Sequence, residues 1–559
     1  MKLETKNIKW FVLLVLVVTG FFVYLNSFSN KLFWDDDDLI TNNVYIKDFS
    51  YLPKYFSENI IAGAGQLSNY WRPLEVLSFA VDYHIFGLTP NGYHIVNLIW
   101  HILAAWLIFL LLYKLSKRHW LSFWPAFIFL IHPLQTEAVT YVSGRADSMA
   151  AVFVLLSLLT YVIYRQQKNK KFIYFSIASF LISLLCKEQS IMLPALILII
   201  EFFFFFNKRQ WRQSLILFLP FVLISISYFL SRIFFLNFND LLSGVGYVSA
   251  YDNSLKIRLL TFTYVFVKYL ALLLVPFNLH MAYEVSPVTS FFSWSVALFL
   301  LAVGAFGYLI KKYWRQDKLL VFSLVWFLIL LIPRTNIISI NRPLYEHWLY
   351  LPMVGFWLAI VLLMEKIKLS KKIIIILLSL LSLYFIVLTV RRNFDWCDPI
   401  TFYEKNLKYT PHSFIQHNNL GMAYTDAGRL DEAIAEYRLA ISIADIYPQV
   451  HYNLANVLVT KKDFKNAETE YYNSIKIDPG FSWPYLNLIK IAIFTKDEIK
   501  LNLVLDKLKL NFPEEYYLNQ AFYAYYYFGD APKAREIGLE LSKKYPKNDE
   551  IGVLLLNIR

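Results

Sequence analysis

Apolar stretches close to 20 residues long recur from Trp10 to Val390, broken by short polar links. A bilayer core about 30 Å thick takes roughly 20 residues of α-helix, so this spacing predicts a series of membrane-spanning helices. The stretches fall at 10–25, 93–113, 120–131, 149–164, 172–185, 190–206, 214–235, 257–275, 292–310, 319–332, 348–364 and 373–390. From about Phe394 the pattern changes to mixed polar sequence with helical periodicity. The expected fold class is all-α. A polytopic helix bundle fills residues 1–393, and a helical repeat domain fills residues 394–559. The longest link of the first part, residues 27–90, is rich in Tyr, Trp and Asn, and its aromatic residues suit the headgroup level.

Charge sets the expected orientation. The net charge is +13. Much of the surplus sits in six links: Lys2, Lys6 and Lys9; Lys114, Lys117 and Arg118; Arg165, Lys168, Lys170 and Lys171; Lys208, Arg209 and Arg212; Lys311, Lys312, Arg315 and Lys318; and Lys366, Lys368, Lys371 and Lys372. Short cytoplasmic loops collect Lys and Arg, so these links mark the cytoplasmic side, and their placement argues against a nucleic-acid partner. No small-residue cleavage site follows the first stretch, which is expected to stay as a helix with its N-terminus in the cytoplasm. Counted as a crossing, 257–275 would put the fifth cluster outside, so one segment between 214 and 291 is expected not to cross. That leaves about 11 crossings, with residues 27–90 and the repeats on the outer face. The outer face is the periplasm or exterior for a bacterial inner membrane, or the lumen for an endoplasmic reticulum membrane. Two cysteines exclude a disulfide framework and a thiolate metal cluster.

The outer links hold the candidate chemistry. Asp35, Asp36, Asp37 and Asp38 follow one another directly after Phe33-Trp34. Adjacent carboxylates repel, which makes at least one harder to ionise and suits it to act as a base or to hold a hard cation such as Mg²⁺ or Mn²⁺. Arg72, His132, Glu137, Arg145, Asp147, Lys187, Glu188, Arg342, Glu346 and His347 share that face in the expected topology. Mid-bilayer insertion costs roughly 2.5–3.5 kcal/mol per ion, so Arg145, Asp147, Lys187 and Glu188 should lie at the outer interface or in a wet cavity. Taken singly, each has a structural reading as a cap or ion pair. A transporter or flippase with a charged outer gate, or a membrane-anchored repeat scaffold, would use the same layout.

The repeats announce themselves by period. His417-x2-Leu420-Gly421-x2-Tyr424, then Ala433-x3-Tyr437, recurs 34 residues on as His451-x2-Leu454-Ala455-x2-Leu458, then Ala467-x3-Tyr471. Pro479, Pro513 and Pro546 carry the spacing forward into two degenerate units. This resembles tetratricopeptide repeats, whose small residues let paired helices approach. Such stacks line a concave groove with the first helix of each repeat, which here presents Asn418, Tyr424, Asn453 and Asn456 as an acceptor groove.

Several strings, in order, resemble the transmembrane and tetratricopeptide-repeat O-mannosyltransferases of the GT-C glycosyltransferase superfamily. They are Phe33-x-Asp35-Asp36-x3-Ile40-x2-Asn43, Trp71-Arg72-Pro73-Leu74, Gly92-Tyr93-His94-x2-Asn97, His132-Pro133-x3-Glu137-Ala138-Val139-x4-Gly144-Arg145-Ala146-Asp147, Lys187-Glu188 and Tyr345-Glu346-x3-Tyr350-Leu351-Pro352. The resemblance implies a polyprenyl- or dolichyl-phosphate sugar donor, mannose as the sugar, a protein Ser/Thr acceptor and inversion by a single displacement. The residues' own chemistry is compatible: Asp35 and Asp36 are the expected catalytic pair, and Arg145, Lys187 and Arg342 the expected cations for the donor phosphate, Arg being suited to bidentate phosphate contacts. Arg72, His132, Glu137, Asp147, Glu188, Glu346 and His347 are expected as further donor-phosphate or substrate-binding groups. The family usually has Glu-Arg where this chain has Glu346-His347, so one phosphate contact is in question.

Overall fold

The computed structural model describes residues 5–206, 211–234, 254–281, 283–337, 342–367, 369–545 and 554–555. Among them there is no strand. The chain divides into two compact units, Met1–Phe402 and Tyr403–Arg559.

In the first unit, nine helices among the described residues are long and apolar enough to cross a membrane. They are Asn7–Ser27, Pro90–Ser116, Val142–Gln167, Glu188–Phe205, Ser214–Phe234, Leu255–Leu274, Trp294–Tyr313, Lys318–Thr335 and Lys371–Phe394; His119–Ile131 and Lys171–Cys186 are shorter apolar helices. Between 214 and 291, where one segment is expected not to cross, both Ser214–Phe234 and Leu255–Leu274 have the length and hydropathy of the other spans, and half of the most apolar window of Leu255–Leu274 is buried. The 348–364 stretch also departs from a plain span: the Pro352–Lys366 helix has 15 residues, and Pro352 through Ala359 are all buried. Gly355 explains that burial, since a Cβ there would meet the Ser323 carbonyl at 2.5 Å, so the Lys318–Leu331 helix packs against it backbone to backbone.

The long link 27–90 is folded. Leu39, Ile40, Ile46, Tyr55, Ile60, Val76, Phe79, Ala80, Tyr93 and Val142 form an apolar core separate from that of the bundle. The Pro73–Phe86 helix supplies much of it, started by Pro73 at a position where the missing N–H costs nothing. Residues 394–402, grouped with the repeats by composition, belong to the first unit, where Trp396 and Phe402 pack on Phe33.

The second unit is four helical hairpins: Phe414–Asp426 with Leu430–Ile443, Pro448–Thr460 with Phe464–Ile477, Ser482–Thr495 with Glu498–Asn511, and Glu514–Phe528 with Ala531–Lys544. A Cβ on Gly421 would fall 2.6 Å from the Tyr437 ring, which is why a small residue recurs there in the first two repeats. The two repeats with weak sequence signals form the same hairpins, with Leu501, Val504, Leu505 and Leu508 filling the third. Pro546 lies outside the described residues.

Candidate active site

The site is built around a short turn, Tyr141–Ser143, between the Thr136–Val139 and Arg145–Gln167 helices. Gly144 allows the turn, because a Cβ there would lie 2.3 Å from the Glu137 carbonyl. Asn97 secures it with its side-chain amide NH2, which donates to the Val139, Tyr141 and Val142 carbonyls. The acidic run docks on this turn. Asp36 is buried; its Oδ1 accepts from the Ser143 backbone N–H at 2.9 Å and from the Ser143 hydroxyl, and its Oδ2 accepts from the Phe33 N–H at 3.3 Å. Burial pushes the Asp36 carboxyl up to about 7, against those hydrogen bonds, which pull it down. Trp34 stacks on Tyr141 at 5.4 Å between ring centroids, and Tyr141 stacks on Trp396 at 5.1 Å.

Between these two anchored neighbours, Asp35 is exposed. It sits in a recess crowded by protein, so loss of hydration raises its carboxyl above the ordinary range. The Tyr141 hydroxyl lowers it, Asp38 raises it, and Arg72 and Arg342 lower it. Arg342 is half-buried and has no ion-pair partner among the described residues. Arg72 is bidentate to Glu188, at 3.0 and 2.9 Å, and reaches Glu75 at 3.5 Å. Glu75 is wholly buried, one of its oxygens has no hydrogen-bond partner, and burial pushes it up to about 7 against the nearby cations.

A cleft of about 560 Å³, including space open to solvent, lies in the same unit. Asp147, Lys187, Arg334, His347 and Trp348 line its polar side, and Ala150, Ala151, Val154, Leu193, Leu196 and Leu330 line its apolar side. Lys187 and Asp147 pair at 2.7 Å, both buried. Arg334 lies with its guanidinium 4.3 Å over the Trp348 ring, is 9% exposed, and its Nε has no acceptor among the described residues. Asp147 and Glu188 act on its charge only from a distance, and a sunken guanidinium without a direct ion pair leaves room for a ligand anion. Arg334 was visible in sequence as an outer-loop cation but carried no motif. Its stacking on Trp348, fourteen positions on, is what distinguishes it.

Other sequence candidates have different surroundings. Arg145 does not face the cleft. It is fully buried, 2.5 Å from Asp82, and donates to Asn97, Ser78 and the Tyr93 carbonyl. These partners occupy its donors, and it is not among the residues lining the cleft. His132 is likewise buried: its Nδ1 accepts from the Leu134 N–H, its Nε2 lies 3.1 Å from the Leu273 carbonyl, and burial lowers it to about 3. It caps the turn where the helix ends. Glu137 accepts from the His347 backbone N–H at 2.9 Å and from His347 Nδ1 at 2.5 Å, so it orients His347 toward the cleft. Glu346 points elsewhere, accepting from the His280 N–H and the Tyr283 hydroxyl, with Arg392 at 3.6 Å.

For a divalent cation, Asp36 already accepts three hydrogen bonds, and among the described residues no three His, Cys, Asp or Glu side chains cluster at metal-binding spacing.

In the repeats, Asn453 donates to Asn418 at 3.1 Å, and Asn456 accepts from Asn487 at 2.9 Å and from the Tyr471 hydroxyl at 2.6 Å. The Asn453–Asn418 and Asn487–Asn456 bonds link successive first helices, and the Tyr471 bond joins the two helices of one hairpin. Asn453 and Asn456 are half-buried, whereas Asn418 and Tyr424 are buried. Tyr424 donates to the exposed Glu404 at 2.8 Å.

Comparison with known proteins agrees in both parts. The TPR repeat family matches residues 421–462, and the Tetratricopeptide repeat family matches residues 448–481. A Protein O-mannosyl-transferase of Caenorhabditis elegans is 27% identical over 483 residues, covering 84% of this chain and 63% of the relative. Protein O-mannosyl-transferase TMTC3 of Mus musculus is 25% identical over 577 residues, covering 87% and 62%. Protein O-mannosyl-transferase TMTC2 of Homo sapiens is 25% identical over 523 residues, covering 77% and 62%. The chain is therefore similar to protein O-mannosyl-transferases along most of its length, and it spans less than two thirds of the length of these relatives.

Proposed function

We propose that this chain is a multi-pass membrane glycosyltransferase of GT-C type. It would move mannose from a polyprenyl- or dolichyl-phosphate donor to a Ser or Thr hydroxyl of a protein, with the repeats recruiting that protein. The observation that carries the reading is one open carboxylate, Asp35, in a unit whose cleft has a cationic wall and an apolar wall. An amphiphile with an anionic head matches those two walls. The names of the similar proteins supply the reaction class.

The chemistry follows from the groups. Asp35, raised by its recess, accepts the acceptor hydroxyl proton as the oxygen attacks the anomeric carbon. The bond from that carbon to the phosphate oxygen breaks as the new one forms, and the lipid phosphate leaves as an anion. An anionic leaving group needs cations more than it needs a general acid. Arg334 and Lys187 on the cleft wall serve it, with His347 held by Glu137 beside them. Arg334 on Trp348 offers a guanidinium next to the position where the family pattern has Arg and this chain has His347. Arg342 and Arg72 act on Asp35 itself. Asp36 holds the loop. No step runs through a metal.

The purified chain in liposomes, given a panel of polyprenyl-phosphate sugars and a Ser/Thr peptide, tests the proposal. Mannose transfer to the peptide supports it. Movement of the lipid-linked sugar across the bilayer without transfer would point to a flippase.

A further inference from the structure

We infer that Trp34 is a positioning residue, a strained aromatic wedge that aims Asp35; the inference rests on the reading of Asp35 as the base. Trp34 has φ 64°, in the left-handed region. A bulky side chain rarely adopts that conformation without support from its surroundings. Four of the other non-glycine residues with positive φ, Lys117, Lys168, Asn336 and Lys496, cap the ends of helices, where the left-handed conformation is ordinary. Trp34 instead precedes a helical turn: the Asp37 N–H donates to the Trp34 carbonyl at 3.0 Å.

The surroundings hold it there. The indole stacks on Tyr141 with planes 22° apart and lies 5.9 Å from Phe402. On the other side of Asp35, Asp36 is bonded to Ser143, two residues beyond Tyr141. Both neighbours of Asp35 are thus fixed to one turn, and Asn97 fixes the turn while Arg145 holds Asn97 at 2.6 Å. The left-handed step at Trp34 reverses the chain so that the Asp36 carboxylate turns inward while Asp35 stays open. Without the ring, the left-handed step at Trp34 loses its support on Tyr141 and Phe402, and Asp35 would move off its line to the acceptor oxygen.

Steady-state kinetics on the full chain in liposomes test this, with polyprenyl-phosphate mannose and a Ser/Thr peptide. Trp34→Ala should lower kcat on the order of 10²-fold, the size of effect a 1 Å misplacement gives, with the donor KM unchanged. The acidic limb of its pH–rate profile should move to lower pH, because a hydrated Asp35 titrates like an ordinary carboxylate. Trp34→Phe keeps a stacking ring and should restore most of kcat and the limb. Trp34→Gly relieves the backbone but lacks the ring, so it should behave like Trp34→Ala and keeps the test available should that variant fail to fold. Wild-type kcat and an unmoved limb in Trp34→Ala, with Asp35→Asn inactive, would overturn the positioning role alone. An active Asp35→Asn would overturn the base and the wedge together.

Discussion

Arg145 and Asp82 form a buried ion pair, 2.5 Å apart, in which the guanidinium has no exposed surface. The pair joins the Pro73–Phe86 helix of the first loop to the start of the Arg145–Gln167 helix. Arg145→Ala would leave Asp82 as an unpaired buried carboxylate, and breaking such a pair costs about 3–5 kcal/mol. The expected result is a lower Tm in detergent, with donor and acceptor KM unchanged relative to each other. A selective rise in donor KM at unchanged Tm would return Arg145 to the phosphate site.

Arg334 is expected to behave in the opposite way. It forms no direct ion pair among the described residues, and Asp147 and Glu188, which act on its charge from farther off, keep their own partners Lys187 and Arg72, so its removal does not orphan a partner. Hydrogen bonds to charged groups are worth about 1.5–3 kcal/mol, so Arg334→Gln should raise donor KM roughly 10- to 100-fold with little change in Tm. Arg334→Lys should rescue poorly, since an ammonium loses both the fork and the stack on Trp348. Kinetics with donor and acceptor varied separately check this.

The repeats carry a pH dependence of defined sign. His417 Nδ1 lies 2.6 Å from Glu436 and its Nε2 3.0 Å from the Pro411 carbonyl; His451 Nδ1 lies 2.6 Å from Glu470 and its Nε2 2.7 Å from Asp445. Every partner is an acceptor, and a neutral imidazole has one N–H, so only the imidazolium satisfies both contacts. Burial alone would lower both groups, but the hydrogen bonds outweigh it and both are raised above 6.5. A raised folded value gives stability that is complete below the unfolded pKa and is lost as pH rises through the folded one. The melting of the repeats within the full chain should therefore fall from pH 6 to pH 8.5. His417→Gln with His451→Gln should flatten that slope, as read by calorimetry. An unchanged slope in the double variant would show that other groups set it.

Much of the fold could be read from the sequence, because its signals are long and periodic. Apolar length gave the bundle, and the recurrence of Gly421 and Tyr437 as Ala455 and Tyr471 gave the repeats. What the sequence does not carry is one residue's surroundings. Arg145 stands in a recognisable string, while its buried partner Asp82 stands in none. Arg334 stands in no string, and its stack on Trp348 is visible only in the fold. Asp35 and Asp36 are alike in sequence, and only the docking of Asp36 on Ser143 separates an open carboxylate from a pinned one.

That separation leads to the central measurement. Asp35→Asn removes the proposed base and keeps shape and hydrogen-bonding capacity. Loss of a general base costs about 10²–10⁴ in rate. Single-turnover transfer of mannose from the polyprenyl-phosphate donor to a Ser/Thr peptide should fall by that amount in Asp35→Asn, with donor affinity and Tm close to those of the unaltered protein. Turnover within a few-fold of the unaltered protein, with the donor still bound, would contradict the account.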